Sequence, residues 1–132
     1  MQFCEKKPEM KPLRVLIIDD EVAYADVLKR RMEKRNFEVE VAHSGTEAIQ
    51  KLRRASFDVA VLDLKMEDMN GIEVLKIFKK MDPEMPVIMI TGHGSEQAAQ
   101  EGMSCGAYDY LMKPCEFEVL IEKIHEAVKR SS

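Results

Sequence analysis

Asp58-Val59-Ala60-Val61-Leu62-Asp63 decides the fold. Four apolar residues in a row between carboxylates leave no polar face, so the run reads as a strand covered on both sides, the setting of a central strand in a parallel sheet. Asp63 then stands at the carboxyl end of that strand, followed by the polar loop Leu64-Lys65-Met66-Glu67-Asp68-Met69-Asn70-Gly71. In open α/β sheets the crevice outside the carboxyl ends is where ligands bind.

Working outward, Ser44-Gly45-Thr46-Glu47 has the spacing of a capping box and opens a helix carrying Ala48, Ile49 and Leu52. Asn70 and Glu73 repeat that spacing ahead of Ile72, Leu75 and Phe78, a helix that stops near Asp82-Pro83. Further out, Leu13 to Ile18 and Pro86 to Ile90 are two more nearly continuous apolar strands, stopping on Asp19-Asp20-Glu21 and on Thr91-Gly92-His93-Gly94. Val22, Ala25, Leu28 and Met32 recur at helical spacing on a segment ending near Arg35-Asn36. Phe37 to Val41 alternates strictly, as an edge strand with one wet face does. Ser95 to Ser104 is a helix with few large apolar residues and an internal Gly102, expected to be the least stable of the set. A short fifth strand, Ala107 to Met112, and a last helix with Phe117, Leu120, Ile121, Ile124 and Val128 on its buried stripe complete five β-α units. Regular alternation in so short a chain implies a doubly wound parallel sheet with helices on both faces.

The 132 residues, 45% of them hydrophobic, suit one domain with one core. Residues 1–12, with Pro8 and Pro12, read as a loose N-terminal arm, and 13–130 as the domain proper. A net charge of -4 with interleaved lysines and acids offers no footprint for direct nucleic-acid binding. No apolar stretch approaches the ~20 residues of a membrane span, and the start lacks the apolar core of a signal peptide, so a cytoplasmic protein is expected. Cys4, Cys105 and Cys115 lack a paired metal-ligand spacing and read as reduced thiols. His43 and His125 read as surface residues.

On that frame Asp19, Asp20, Asp63, Thr91 and Lys113 each follow a strand at its carboxyl end. Two unit charges 4 Å apart repel by about 4 kcal/mol at an effective dielectric of about 20, so three carboxylates around one point need a cation. Mg²⁺, a hard ion with oxygen ligands, is the natural counter-charge, and Lys113 adds a fixed one. Taken singly, either aspartate reads more readily as a helix cap, Thr91 as a turn residue and Tyr110 as half-buried core.

The acidic pair after strand one, the lone Asp63 after strand three, Thr91 after strand four and Lys113-Pro114 after strand five, with Gly106-Ala107-Tyr108-Asp109-Tyr110-Leu111-Met112 before them, resemble the receiver domain of two-component response regulators. The resemblance runs from about Leu13 to Lys129. It implies a flavodoxin-like (βα)5 three-layer sandwich with strand order 2-1-3-4-5. It implies that Asp63 accepts a phosphoryl group from a phosphohistidine on a sensor kinase or phosphotransfer protein. Asp19 and Asp20, the latter most directly, hold Mg²⁺ in such domains together with Asp63 and the backbone carbonyl of Lys65, while Lys113 pairs with the phosphoryl oxygens. Thr91 and Tyr110 match the family's switch pair, which repacks the face of helix 4, strand 5 and helix 5. Lys65 and His93, two residues beyond Asp63 and Thr91, match positions that tune the phosphoryl lifetime. The only catalysis so implied is the chain's own phosphorylation and slow dephosphorylation. The stretch from Thr91 to Gly94 looks like that of receivers preceding transcription-activating domains.

Two rival classes fit less well. A flavin-binding module with this sheet order holds phosphate in a hydroxyl- and glycine-rich loop after the first strand, and Asp19-Asp20-Glu21 would repel FMN. An aspartyl phosphatase wants a second carboxylate two residues after its nucleophile, where this chain has Lys65. Expected partners are a histidine kinase or phosphotransfer protein, a downstream protein or output domain, and a second copy on phosphorylation. The chain is expected to be either a stand-alone receiver or a piece of a longer regulator.

Overall fold

The computed structural model describes residues 11–92 and 96–131. Most of the expected arm and all of His93 therefore lie outside the described residues. Five strands, β1 (Arg14–Ile18), β2 (Glu38–Ala42), β3 (Val59–Asp63), β4 (Val87–Thr91) and β5 (Asp109–Met112), form one parallel sheet in the order β2-β1-β3-β4-β5. Helices α1 (Val22–Glu33), α2 (Gly45–Arg54), α3 (Gly71–Met81), α4 (Glu96–Ser104) and α5 (Phe117–Ser131) alternate with them. The flavodoxin-like (βα)5 sandwich expected from the sequence is the fold observed.

The continuous apolar runs explain the three layers. Successive strand side chains point to opposite faces, so Val15, Ile17, Val59 and Val61 meet α1 and α5 in one core. Leu16, Ile18, Ala60 and Leu62 meet α2 and α3 in the other. Every residue of β3 and β4 is buried. Asp58 is not part of β3: its carboxylate accepts the Arg14 N–H at 2.8 Å and its own N–H donates to the Arg14 carbonyl at 2.8 Å, closing the start of the β1–β3 ladder.

Local signals held with small shifts. Ser44 Oγ accepts the Glu47 N–H at 3.0 Å, but the Glu47 carboxylate reaches one residue further back than a capping box requires, to the His43 N–H at 2.8 Å. Asn70 Oδ1 caps the Ile72 N–H at 2.8 Å. Helix α1 ends at Glu33, earlier than its periodicity suggested, because the chain turns through Asn36 with φ of 70° in the left-handed region. At its other end Val22 is exposed, and only Ala25, Leu28 and Met32 of the four spaced residues are buried. Strand β5 begins two residues after Ala107.

Helix α4 buries only Ala99 and Gly102. The glycine does more than weaken the helix: a Cβ there would run into the sulfur of Met89 on β4, so its absence lets α4 lie close on the sheet. No helix among the described residues is long and apolar enough to cross a membrane.

Candidate functional site

Backbone ladders that run one residue past the strands set the site. The Asp19 N–H donates to the Ala42 carbonyl at 3.0 Å, Leu64 N–H to Ile90 carbonyl at 3.1 Å, and Lys113 N–H to Thr91 carbonyl at 2.6 Å. Asp19, Asp63 and Lys113 are thus fixed in register at one sheet edge, although their positions span ninety-odd residues of sequence.

Side chains converge there. Carboxylate oxygens of Asp19, Asp20 and Asp63 lie within 4.8 Å of one another. Lys113 Nζ stands 3.1 Å from Asp19, 3.4 Å from Asp63 and 2.7 Å from Glu21. It also lies 4.7 Å from the centre of the Tyr24 ring, a cation–π distance. The other Asp63 oxygen, Oδ1, accepts the Lys65 N–H at 3.1 Å. Asp19 and Asp63 are only 2% and 5% exposed, so these are buried charges that need partners. The opening above them is a depression of about 490 Å³ lined by Asp20, Glu21, Lys65, Met66, Glu67 and Gly92 as well as Asp63 and Lys113.

Electrostatics follow from that crowding. Burial pushes the Asp63 carboxyl up to about 6, with the Asp19 charge adding to the rise and the Lys65 N–H and Lys113 working against it. Burial disfavours the Lys113 charge, but the Glu21 hydrogen bond and the Asp63 and Asp19 charges outweigh it and hold the ammonium above the usual lysine range. The Glu21 carboxyl is held low by its hydrogen bond from Lys113.

Thr91 is buried at the end of β4, and its hydroxyl donates to the Met112 sulfur on β5 at 3.3 Å. Tyr110 is half-buried on the α2/α3 side of the sheet. Four contacts escaped the sequence reading. His43 is half-buried, not a surface residue, with Nδ1 3.1 Å from the Asp19 carbonyl. Glu21 engages Lys113. Asp68 binds the N-terminus of α2, accepting from the Gly45 and Thr46 N–H groups at 3.0 and 3.1 Å, which keeps its carboxyl below the usual range. Gly71 sits against the backbone of Leu64 and closes the base of the loop after β3. Only Glu21 left a trace in the sequence, as a third acid beside two aspartates.

A family model described as "Response regulator receiver domain" matches residues 15–125. The transcriptional regulatory protein TrcR of Mycobacterium tuberculosis is 36% identical over 121 residues, 92% of this chain and 47% of that protein. ZraR of Klebsiella oxytoca, also a transcriptional regulatory protein, is 34% identical over 114 residues, 86% of this chain and 26% of that protein. The chain thus spans about half, or about a quarter, of these curated relatives. Among solved structures, a CheY-like response regulator receiver domain protein from Methanospirillum hungatei superposes with a TM-score of 0.87 at 36% identity, covering 91% of this chain and 96% of that one. Fold, ordered acidic cluster and family match agree, and the chain belongs to the response-regulator receiver domains of two-component systems.

Proposed function

We propose that in the cytoplasm Asp63 accepts a phosphoryl group from a phosphohistidine on a sensor kinase or phosphotransfer protein. The observation that carries this is the position of Asp63: buried, at the end of a central strand, beside Lys113 and the acidic pair, and lining a depression that opens to solvent. In the transfer, an Asp63 oxygen forms the new P–O bond. The P–N bond breaks, its electron pair returns to the imidazole nitrogen, and the phosphoryl charge passes to the site. Lys113 takes up that charge on one side. Such transfer is mostly positioning and neutralisation of charge, so little else is required of the protein.

The acidic cluster fits a divalent cation. Three carboxylates lie within 4.8 Å of one another, the half-buried Lys113 pairs with only Asp19 and Asp63 of them, and among the described residues nothing donates to the Asp20 carboxylate. Asp20 most directly, with Asp19, Asp63 and the Lys65 carbonyl, would hold Mg²⁺, which when bound neutralises phosphoryl oxygens. Tenfold excess over its Kd would stabilise the fold by about 1.4 kcal/mol, a rise of a few degrees in Tm. Asp20→Asn is expected to lose most of that rise. Differential scanning fluorimetry with and without Mg²⁺ reads it, and an unchanged rise would place the ion elsewhere.

The charge at Asp63 is read out by Thr91 and Tyr110. The Thr91 hydroxyl would leave Met112 for a phosphoryl oxygen and Tyr110 would turn inward, repacking α4, β5 and α5. The slight burial of α4 makes it the cheapest element to move. That face would then control a partner protein, an attached output domain or a second copy of the chain. Lys65 lies exposed on the lining of the depression, where its cation would cover the phosphoryl group. Lys65→Ala is therefore expected to shorten the phosphoryl lifetime severalfold, measured as released phosphate; a longer lifetime would show that Lys65 promotes attack by water. His93 is assigned the same shielding role.

The test of the reading is chemical. Incubated with acetyl phosphate and Mg²⁺, the protein is expected to gain the mass of one phosphoryl group, labile to hydroxylamine as an acyl phosphate is, and located at Asp63 by peptide mapping. A stable label, or one on another residue, would sink it.

A further inference from the structure

We propose that Glu21 is a positioning residue that holds Lys113 in the unphosphorylated chain and is the one carboxylate displaced from it when a donor's phosphoryl group docks against Asp63, before the new P–O bond forms. The inference rests on the phosphoacceptor reading of Asp63 and adds what competes with it.

Three observations carry it. First, Lys113 has three ammonium donors, and three carboxylates occupy them. The shortest contact, 2.7 Å, goes to Glu21, and the longest, 3.4 Å, to the acceptor Asp63. Until the P–O bond forms and Asp63 gives up its own share, a docking phosphoryl oxygen can reach this lysine only if one acid lets go. Second, the three differ in what release costs. The Asp19 side chain is 4% exposed and that of Asp63 6%, so either would be left charged and buried; the Glu21 side chain is 63% exposed and would simply rehydrate. Third, Glu21 holds the N-cap position of α1 yet makes no side-chain cap, whereas Ser44 and Asn70 do cap α2 and α3. Its side chain has turned from its own helix to Lys113, ninety-two residues away in sequence. Its backbone is fixed for this reach, because its N–H donates to Asp19 Oδ1 at 2.9 Å.

Glu21 thus acts through its hold on Lys113 and through its charge, without touching the reacting atoms. It neutralises the lysine at rest, and its negative charge at the rim of the depression repels an incoming anionic donor.

The test uses the full chain. Lysine side-chain ¹³C NMR compares the parent with Glu21→Gln in metal-free buffer without donor; the Lys113 signals are expected to shift. Phosphorylation at Asp63 is then timed by intact mass with Mg²⁺ and either dianionic acetyl phosphate or the less negative phosphoramidate. Glu21→Gln is expected to react about three- to tenfold faster than the parent with acetyl phosphate at low ionic strength, with a smaller gain for phosphoramidate and a gain that shrinks as salt is added. Glu21→Ser, a good helix cap without charge, is expected to match Glu21→Gln. A role confined to α1 stability would separate those two variants and would not depend on donor charge or salt. Unmoved Lys113 signals, or a Glu21→Gln rate at or below the parent's with both donors, overturns the proposal. A parent that takes no phosphoryl group overturns the reading of Asp63 itself, and this proposal with it.

Discussion

Asp63→Asn is expected to gain no phosphoryl group and, in metal-free buffer at pH 7, to unfold at a higher temperature than the parent. The first half follows from the loss of the nucleophilic carboxylate. The second follows from its burial. The carboxyl is raised from an ordinary 3.8 to about 6 in the folded chain, chiefly because burial disfavours its charge. A group raised in this way contributes stability below its unfolded value, and that contribution is lost as pH climbs through the folded one. At pH 7 the ionised Asp63 therefore burdens the metal-free fold by roughly 2–3 kcal/mol, each unit being about 1.4 kcal/mol. Asparagine removes the charge and keeps an oxygen for the Lys65 N–H, at the loss of one partner for Lys113. The gain in Tm should be largest above pH 6 and vanish near pH 4, and saturating Mg²⁺ should shrink it. Thermal melts of both proteins from pH 4 to 8 check this. A variant less stable than its parent at pH 7 without metal would mean that the Lys113 contact outweighs the burial of charge.

Gly71→Ala is expected to destabilise the protein by about 1–3 kcal/mol, the range of changes that force backbone to move in a packed site. A Cβ at Gly71 would lie 2.6 Å from the Leu64 Cα and 2.7 Å from its carbonyl oxygen, and backbone atoms cannot rotate away. The Gly71 N–H donates to that same carbonyl at 3.3 Å, so the two ends of the loop are already pinned together. Moving Leu64 also shifts Lys65, whose N–H holds Asp63, so phosphorylation by a small donor should slow as well. Gly45→Ala makes the useful comparison. Its added carbon would meet Val74 Cγ2 at 2.8 Å and Met69 Sδ at 2.9 Å, both side-chain atoms that can give, and the loss should be smaller. Urea denaturation of the two variants at unchanged m would order them. If Gly45→Ala proves the costlier, the loop after β3 is softer than its contacts indicate.

Much of the frame was legible because it depends on burial, which a sequence writes as runs and periods. The all-apolar stretches of β1, β3 and β4 announced strands covered on both faces, and the alternation from Phe37 to Val41 announced an edge. Once strand ends were placed, the meeting of Asp19, Asp20, Asp63 and Lys113 followed, since parallel strands bring their carboxyl ends together. What stayed hidden depends on where individual side chains turn. Nothing local tells that Glu21 leaves its helix for Lys113, that Asp68 reaches the start of α2, or that the ring of His43 meets the Asp19 carbonyl. Gly71 and Gly102 were opaque for a related reason. Each matters through a neighbour, Leu64 or Met89, brought to it by the tertiary packing, and in sequence Gly102 showed only as a blemish in a helix.

The Asp68 clamp makes the elements that flank the site unequally stiff. On one side the loop after β3 is bolted to α2 through three hydrogen bonds from Gly45 and Thr46, and pinched shut by Gly71 against Leu64. On the other, α4 rests on the sheet through two small residues, one of them without a side chain. A load applied between such elements is taken up by the compliant one. New charge at Asp63 should accordingly leave α2 and α3 in place and spend its displacement on α4, so that the direction of the signal is set by the clamp, on the side of the site that does not move.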